Sequence, residues 1–243
     1  MSRRWLALCL AAPLLFGAQV RAAAVEAVTE ESSYTYYLQG ELAGPLTYLT
    51  QALLARAKLD YAISVYPWAR AYDMALAEPN VLIFPILRTA EREARFKWVG
   101  EFAQIHSVLY RRSDRQQVQL GRWQDAQRYT VGVVRDDFRE VFLRGQGFTR
   151  LVVSASPQES VRKLLNGQVD LIPLAESDAE RFSQLLGPGE APLTPVRTID
   201  EITAHAWYAY SLNTPDAVVE RTRKALQGLQ AEGAVGRLMM GGR

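Results

Sequence analysis

Two arginines lie close together in the sequence and could hold an anion. Arg88 and Arg92 follow a run of four apolar residues, 81–84, which has no polar alternation and is typical of a strand buried on both faces. A guanidinium offers a planar fork of donors that matches a carboxylate, and open α/β sheets bind ligands at the carboxyl ends of their strands. The alternative is structural, since either arginine could pair with Glu91 or Glu93.

The residues around Arg92 indicate a short helix. Thr89 offers an N-cap oxygen, and residues 90–96 carry acids in the first turn. A cation in that turn opposes the helix dipole by ~0.3–1 kcal/mol. Arg92 therefore gains nothing from the helix itself, and either a neighbouring acid or a bound anion would account for it.

The segment that ends at Arg88 has a counterpart later in the chain. Residues 80–88 align without a gap with residues 168–176, and each copy follows a short helix and precedes another. The alignment sets Arg88 against Glu176. If each copy belongs to one of two facing lobes, a cation and an anion meet in one cleft, which suits an amphoteric ligand.

Four other side chains are candidates for the same cleft. Tyr34 and Tyr36 lie in a tyrosine-rich loop and could form an aromatic wall, because tyrosine combines a flat ring with a polar tip. As loop tyrosines they could equally be exposed. Trp68 either lines the cleft or packs at the start of its helix, and Asp137 either contacts the ligand or caps a helix.

These residues are set in a chain that alternates strands and helices. In the first half the elements are expected over residues 24–29, 45–58, 61–66, 68–77 and 81–84, and in the second half over residues 129–134, 138–144, 151–153, 157–166 and 169–174. This pattern predicts parallel sheets with helical crossovers. A polar connection near Arg111 and an irregular stretch over 187–202 indicate two crossings. The first lobe is then discontinuous, residues 25–111 and 204–243, and the second covers residues 112–203.

The first residues have the composition of a signal peptide. Arg3 and Arg4 precede an apolar stretch over 5–18, and small residues follow, so we expect residues 1–24 to be removed on export to the periplasm. The single cysteine, Cys9, lies in this leader, which excludes disulfides and thiol catalysis in the mature chain.

Charge and histidine content exclude other classes of function. The whole chain has 28 basic and 26 acidic residues. Because the leader carries only basic charges, the mature chain is close to neutral and gives no electrostatic case for nucleic acid. His106 and His205 are solitary, so no metal site is predicted. No serine-hydrolase elbow, phosphate-binding loop or zinc signature occurs, and no catalytic residue or cofactor is predicted.

The chain resembles the bacterial periplasmic solute-binding proteins of family 3, the polar amino-acid-binding group of ABC uptake systems. The resemblance covers essentially the whole mature chain and indicates a divergent subgroup. Its motifs are the tyrosine loop with Gly-Glu-Leu-Ala-Gly at 40–44, Thr-Ala-Glu-Arg at 89–92, Val-Gly-Val-Val at 131–134, Asn-Gly-Gln-Val-Asp at 166–170 and Ala-Glu-Gly at 231–233.

The resemblance implies an α/β, two-lobed periplasmic-binding-protein-like fold of type II with two hinge crossings. It also implies a monomer that delivers a small molecule to an ABC permease in the inner membrane, with Arg92 holding the ligand's α-carboxylate. Pro85 and Leu87 replace the hydroxyl residues that usually assist this arginine. Ala175 replaces the acid that receives the amino group, and Glu176 is the nearest substitute.

Two other functions share this fold. Periplasmic cyclohexadienyl dehydratases need a carboxylate-binding cleft and one acid near the leaving group, a role open to Glu176 or Asp137. A soluble partner of a membrane sensor is the other. Turnover of prephenate would favour the enzyme, whereas neighbouring genes for a permease and an ATPase would favour uptake.

Overall fold

The computed structural model describes residues 24–189, 191–202 and 204–240. The predicted signal peptide lies outside the described residues except for its last position. The strands are β1 (Val25–Thr29), β2 (Tyr36–Leu38), β3 (Glu41–Ala43), β4 (Tyr61–Val65), β5 (Val81–Leu87), β6 (Phe96–Ile105), β7 (Ser107–Arg112), β8 (Val131–Val134), β9 (Leu151–Ser154), β10 (Ile172–Ala175), β11 (Leu193–Thr198) and β12 (Ala204–Ser211).

Seven α-helices occur in the described part of the chain. They are α1 (Pro45–Arg56), α2 (Trp68–Ala77), α3 (Phe138–Gly145), α4 (Pro157–Leu165), α5 (Glu176–Gln184), α6 (Asp216–Ala231) and α7 (Ala234–Met239). Among these residues, no helix has the length and apolar character needed to cross a bilayer.

The first lobe is built on a mixed five-stranded sheet in the order β4-β1-β5-β12-β6. β1 pairs in parallel with β4 and β5, whereas β12 runs antiparallel to β5 and β6. The apolar run of β5 is buried on both faces, as the sequence predicts. Leu82 and Phe84 pack with α1 and α6 on one face, and Val81 and Ile83 pack with α2 on the other.

The second lobe contains an antiparallel sheet, β10-β7-β11, and a parallel pair, β8-β9. A bridge from Val131 to Leu171 connects the two. Only His106 separates β6 in the first lobe from β7 in the second, and the chain returns between β11 and β12. The lobe limits at residues 111 and 204 stay a prediction; β7, which ends at Arg112, pairs within the second sheet.

Two predicted segments differ in the structure. The helix expected over residues 90–96 is only a turn of 3-10 helix, Glu93–Arg95, whose N-cap is Arg92 and not Thr89. The helix cannot extend because Phe96 enters β6. The stretch expected to be irregular before Ile202 contains β11. This strand is half exposed and pairs only with β7, so its polar residues gave no strand signal in the sequence.

Candidate functional site

A cavity of about 50 Å³ lies between the two lobes. Its remaining lining is mainly apolar, but charged and aromatic side chains from both lobes reach it: Glu30, Tyr34, Trp68, Arg92, Asp137, Phe138, Arg139 and Asp178. Since a buried water needs roughly 10–15 Å³ measured in this way, the cavity holds only a few waters. A larger ligand therefore requires the lobes to separate.

Arg92 is buried without a carboxylate partner in the described part of the chain. It is 6% exposed, and its guanidinium lies over the rings of Trp68 at 5.5 Å and Tyr72 at 5.0 Å. Its hydrogen bond to the carbonyl oxygen of Leu87 is a long one, 3.4 Å from Nη1. Burying an unpaired cation is costly, so this arrangement favours a bound anion.

Arg88 lies elsewhere. It forms a bidentate ion pair with Glu93, 2.7 Å from Nε to Oε2 and 2.5 Å from Nη2 to Oε1, and its guanidinium lies over Trp207. It lines an outer groove beside α3 and not the cavity. For Arg88 the structural alternative, a pair with a neighbouring acid, describes the contacts.

Glu176 is also absent from the described lining of the cavity. It begins α5 and is exposed. The aligned strands β5 and β10 both end at the cavity, where Leu87 and Ala175 line it, but the side chains of Arg88 and Glu176, one residue further along, do not. Arg88 and Glu176 each come directly after the last residue of a strand, and both are exposed, so water solvates their charges. A role for either of them in binding stays a prediction.

Trp68 belongs to the cavity and also joins the lobes. Its indole Nε1–H donates to the carbonyl oxygen of Asp136 at 2.9 Å. A second contact lies nearby, where the backbone N–H of Ser33 donates to Oδ1 of Asp178 at 2.7 Å and the hydroxyls of Ser33 and Ser177 are 2.9 Å apart. These bonds hold the lobes in direct contact around the cavity.

Asp137 serves as a helix cap and as a cavity residue at once. Its Oδ1 accepts from the backbone N–H of Arg139 at 2.8 Å, which caps α3 as the sequence predicts. Its Oδ2 lies 3.2 Å from Nη1 of Arg139, and Nε of Arg139 donates to Ser107. Both charges of this pair are largely buried, so they are fixed in place.

Tyr34 lines the cavity, and its carbonyl group packs closely against Gly44 at the start of α1. The carbonyl oxygen of Tyr34 accepts from the N–H of Leu46 in the first turn of α1 at 3.0 Å. Tyr36 lies outside the described lining, with Arg181 stacked 3.8 Å from its ring centre. Strand β2 begins at Tyr36 and pairs with β3, and the ring contacts Arg181 of α5 on the second lobe instead of lining the cavity.

We expect Gly44→Ala to destabilise the protein by more than Gly40→Ala. Gly44 has φ 113° and ψ 158°, a region open essentially to glycine at a cost of roughly 1–3 kcal/mol for other residues. A Cβ there would also lie 2.4 Å from the carbonyl oxygen of Tyr34. Gly40 has φ 86°, and a Cβ added there would meet no atom within 4 Å. Thermal unfolding followed by circular dichroism compares them, and equal losses would contradict the steric argument.

Sequence reasoning missed three charged cavity residues: Glu30, Arg139 and Asp178. Glu30 directly follows β1, and the carboxyl end of a parallel strand is a signal that could have found it. Arg139 lies one residue beyond the predicted start of the helix at residue 138, and Asp178 lies in the helix expected after residues 168–176. Only the packing of the lobes places them in the cavity.

Burial raises the pKa of Glu30 to about 8, and the nearby Asp137 carboxylate adds to the effect. The cavity therefore presents an unpaired guanidinium together with a cluster of acids across the lobe boundary. Such a distribution of charge would complement a molecule with an anionic group at one end and a cationic or donor group at the other, once the lobes separate to admit it. Within the described residues, no three side chains are placed to hold a metal ion.

No family model and no curated protein matches the chain, but solved structures do. A histidine kinase sensor domain with similarity to periplasmic binding proteins is 18% identical with a TM-score of 0.78, over 90% of this chain and 95% of that one. The arginine-, lysine-, histidine-binding protein ArtJ from Geobacillus stearothermophilus is 16% identical with a TM-score of 0.76, over 88% and 93%.

A third similar structure is the amino acid ABC transporter substrate-binding protein AbpA from Streptococcus pneumoniae, bound to L-arginine. It is 16% identical with a TM-score of 0.76, over 89% of this chain and 92% of that one. At such identities the likeness shows the fold, which is the two-lobed α/β fold of periplasmic binding proteins. The predicted fold class is confirmed.

Proposed function

We propose that this chain is a periplasmic solute-binding protein that captures a small, carboxylate-bearing, amino-acid-like ligand between its lobes and delivers it to an ABC importer. The observation that carries the proposal is Arg92, a buried guanidinium that lines the interlobe cavity and has no acidic partner among the described residues. A ligand carboxylate would supply the missing charge and accept two parallel hydrogen bonds.

The surroundings of Arg92 favour binding over a purely structural role. Trp68 and Tyr72 place their rings beside the guanidinium, so they hold its plane without neutralising it. Pro85 and Leu87 offer the carboxylate no side-chain hydrogen bonds, and Arg92 is the cation that the described first-lobe lining presents to it.

Closure of the lobes follows from the same arrangement. A ligand that touches Arg92 on the first lobe and the acids on the second binds the closed state more tightly, and it shifts the population by that difference in affinity. The exported monomer would then present a closed form to an inner-membrane permease. The same closed form would serve a sensor partner, and the likeness to a sensor domain supports that reading.

Mass spectrometry of the small molecule that co-purifies with the protein tests the proposal. We expect a compound with a carboxylate, and calorimetry should show that it rebinds to the stripped protein with one site per chain. Protein carrying Arg92→Ala and purified in parallel should retain much less of it. A co-purifying compound without an acidic group, bound equally well by both proteins, would contradict the assignment.

A cyclohexadienyl dehydratase-like enzyme is the second candidate, favoured by the buried carboxyl of Glu30. This group lines the same cavity as Arg92 and is protonated at neutral pH, so it could donate a proton to a leaving hydroxyl. The two acids expected for this role are less suited, because Glu176 lies outside the cavity lining and Asp137 is paired with Arg139. Formation of phenylpyruvate from prephenate, and its loss in Glu30→Gln, would favour the enzyme.

A further inference from the structure

Glu30 carries an unsatisfied carboxyl oxygen at the wall of the cavity. It follows the last residue of β1 and lies between the cavity and an outer groove that contains Tyr66. The residue as a whole is partly exposed, yet its Oε2 is sealed from solvent and has no hydrogen-bond partner in the described part of the chain. A buried polar atom in this condition calls for a partner, and a ligand in the cavity can supply one.

The charged groups that face Glu30 come from both lobes. On the cavity side Asp137 and Asp178 raise its pKa and Arg139 lowers it, although burial has the largest effect. Arg139 is committed to Asp137 and to Ser107, so it is not available to Glu30. Glu30 also faces the outer groove and the first-lobe side of the cavity. The titratable and charged groups there are Glu31, Tyr34, Tyr37, Tyr66, Arg92 and Arg162.

The acids therefore outnumber the available cations at this end of the cavity. Asp178 already accepts from the backbone N–H of Ser33, whereas Glu30 has an open acceptor position. A metal ion is not favoured, because the described acids are not grouped to hold one. An ammonium group fits better, since it supplies three hydrogen-bond donors and one positive charge in a compact volume.

We propose that Glu30 receives the ammonium group of the ligand and gives up its own proton when the ligand binds. The inference rests on the proposed function and narrows its substrate class to zwitterions with a free ammonium. No covalent bond to carbon changes: the O–H bond of the Glu30 carboxyl breaks, its proton leaves to solvent, and the carboxylate accepts from the ligand's N–H. The role expected of Glu176 thus falls to an acid on the opposite lobe.

Proton release makes the affinity for such ligands depend on pH. Only the ionised fraction of Glu30 is competent, so below about pH 8 the affinity should rise about tenfold for each pH unit. A carboxylate that lacks the ammonium gains nothing from ionised Glu30, and its affinity should not rise with pH.

Calorimetry with two matched sets of probes tests the inference. One set is the protein amino acids, and the other is their deamino carboxylates, the same acids without the amino group. Titrations at pH 6.5 in buffers of different ionisation enthalpy count the protons released. We expect close to one proton per bound amino acid in the wild type. Glu30→Gln should release none, lose the pH dependence and bind amino acids at least tenfold more weakly at pH 8. Glu31→Gln, which alters the neighbouring acid, should match the wild type.

The outcomes separate the inference from the proposed function. If amino acids bind without proton release, or bind Glu30→Gln as tightly as wild type, Glu30 is not the acceptor although the carboxylate site stands. If deamino carboxylates bind as tightly as their amino acids, Glu30 is again not the acceptor, and the carboxylate site again stands. If neither set binds, the proposed function falls together with the inference. Because proton release is measured on the wild type, the test does not depend on the folding of a variant.

Discussion

Replacing Arg92 by alanine should lower the affinity for the ligand roughly 30- to several-thousand-fold. The variant leaves the ligand carboxylate buried without its partner, which costs roughly 2–5 kcal/mol, and about 1.4 kcal/mol corresponds to a factor of ten. Lysine should recover only part of the loss, because it keeps the charge but not the planar fork. Calorimetry with the compound identified by mass spectrometry measures both variants.

Arg88→Ala is the matched control for this prediction. Arg88 lies four residues away, carries the same charge and is paired with Glu93 outside the cavity, so its removal should leave the affinity within about twofold. Arg92→Ala should change the free energy of unfolding little, since it removes a buried cation that has no carboxylate partner in the described structure. An Arg92→Ala protein that melts well below wild type yet binds the ligand normally would make Arg92 a scaffold residue.

Local sequence signals were sufficient for most of the elements. The bounds of α2 match the prediction, and the cap at Asp137 is formed as expected, because a cap depends on residues within one turn. The segment after Thr89 failed for a tertiary reason: helix signals there lose to the pairing of β6 with β12. β11 was not predicted because none of its residues is fully buried and an irregularity after Pro195 interrupts its pairing with β7.

The same difference between local and tertiary effects explains which candidate site residues could be predicted. Tyr34, Trp68, Arg92 and Asp137 come together in the cavity, because each lies in or beside a connection between elements that the alternating pattern places near the cleft. The sequence repeat could align Arg88 with Glu176, but not the direction of either side chain, which depends on a partner such as Glu93. Their roles in binding, like those of the cavity residues, stay predictions.

In the ligand-free protein, we expect the stability of the wild type to fall relative to Glu30→Gln as the pH rises from about 5 to 8. Burial is the main reason that the pKa of Glu30 is raised from 4.5 to about 8. Below pH 4.5 the carboxyl is neutral in the folded and unfolded chains, so its stabilising contribution is fully present. As the pH rises the unfolded chain releases the proton first, and stability is lost until the folded pKa is passed.

The rise in pKa corresponds to at most roughly 5 kcal/mol, and the part of Glu30 that reaches solvent screens the charge, so we expect a relative loss of about 2–4 kcal/mol. Urea unfolding at pH 5 and pH 8.5 measures it as the difference between the wild type and Glu30→Gln. Groups that do not interact with Glu30 titrate alike in both proteins and cancel. Glu31→Gln should follow the wild type. If the wild type and Glu30→Gln keep a constant difference across this range, Glu30 is ionised throughout, and no proton is available for a ligand to displace.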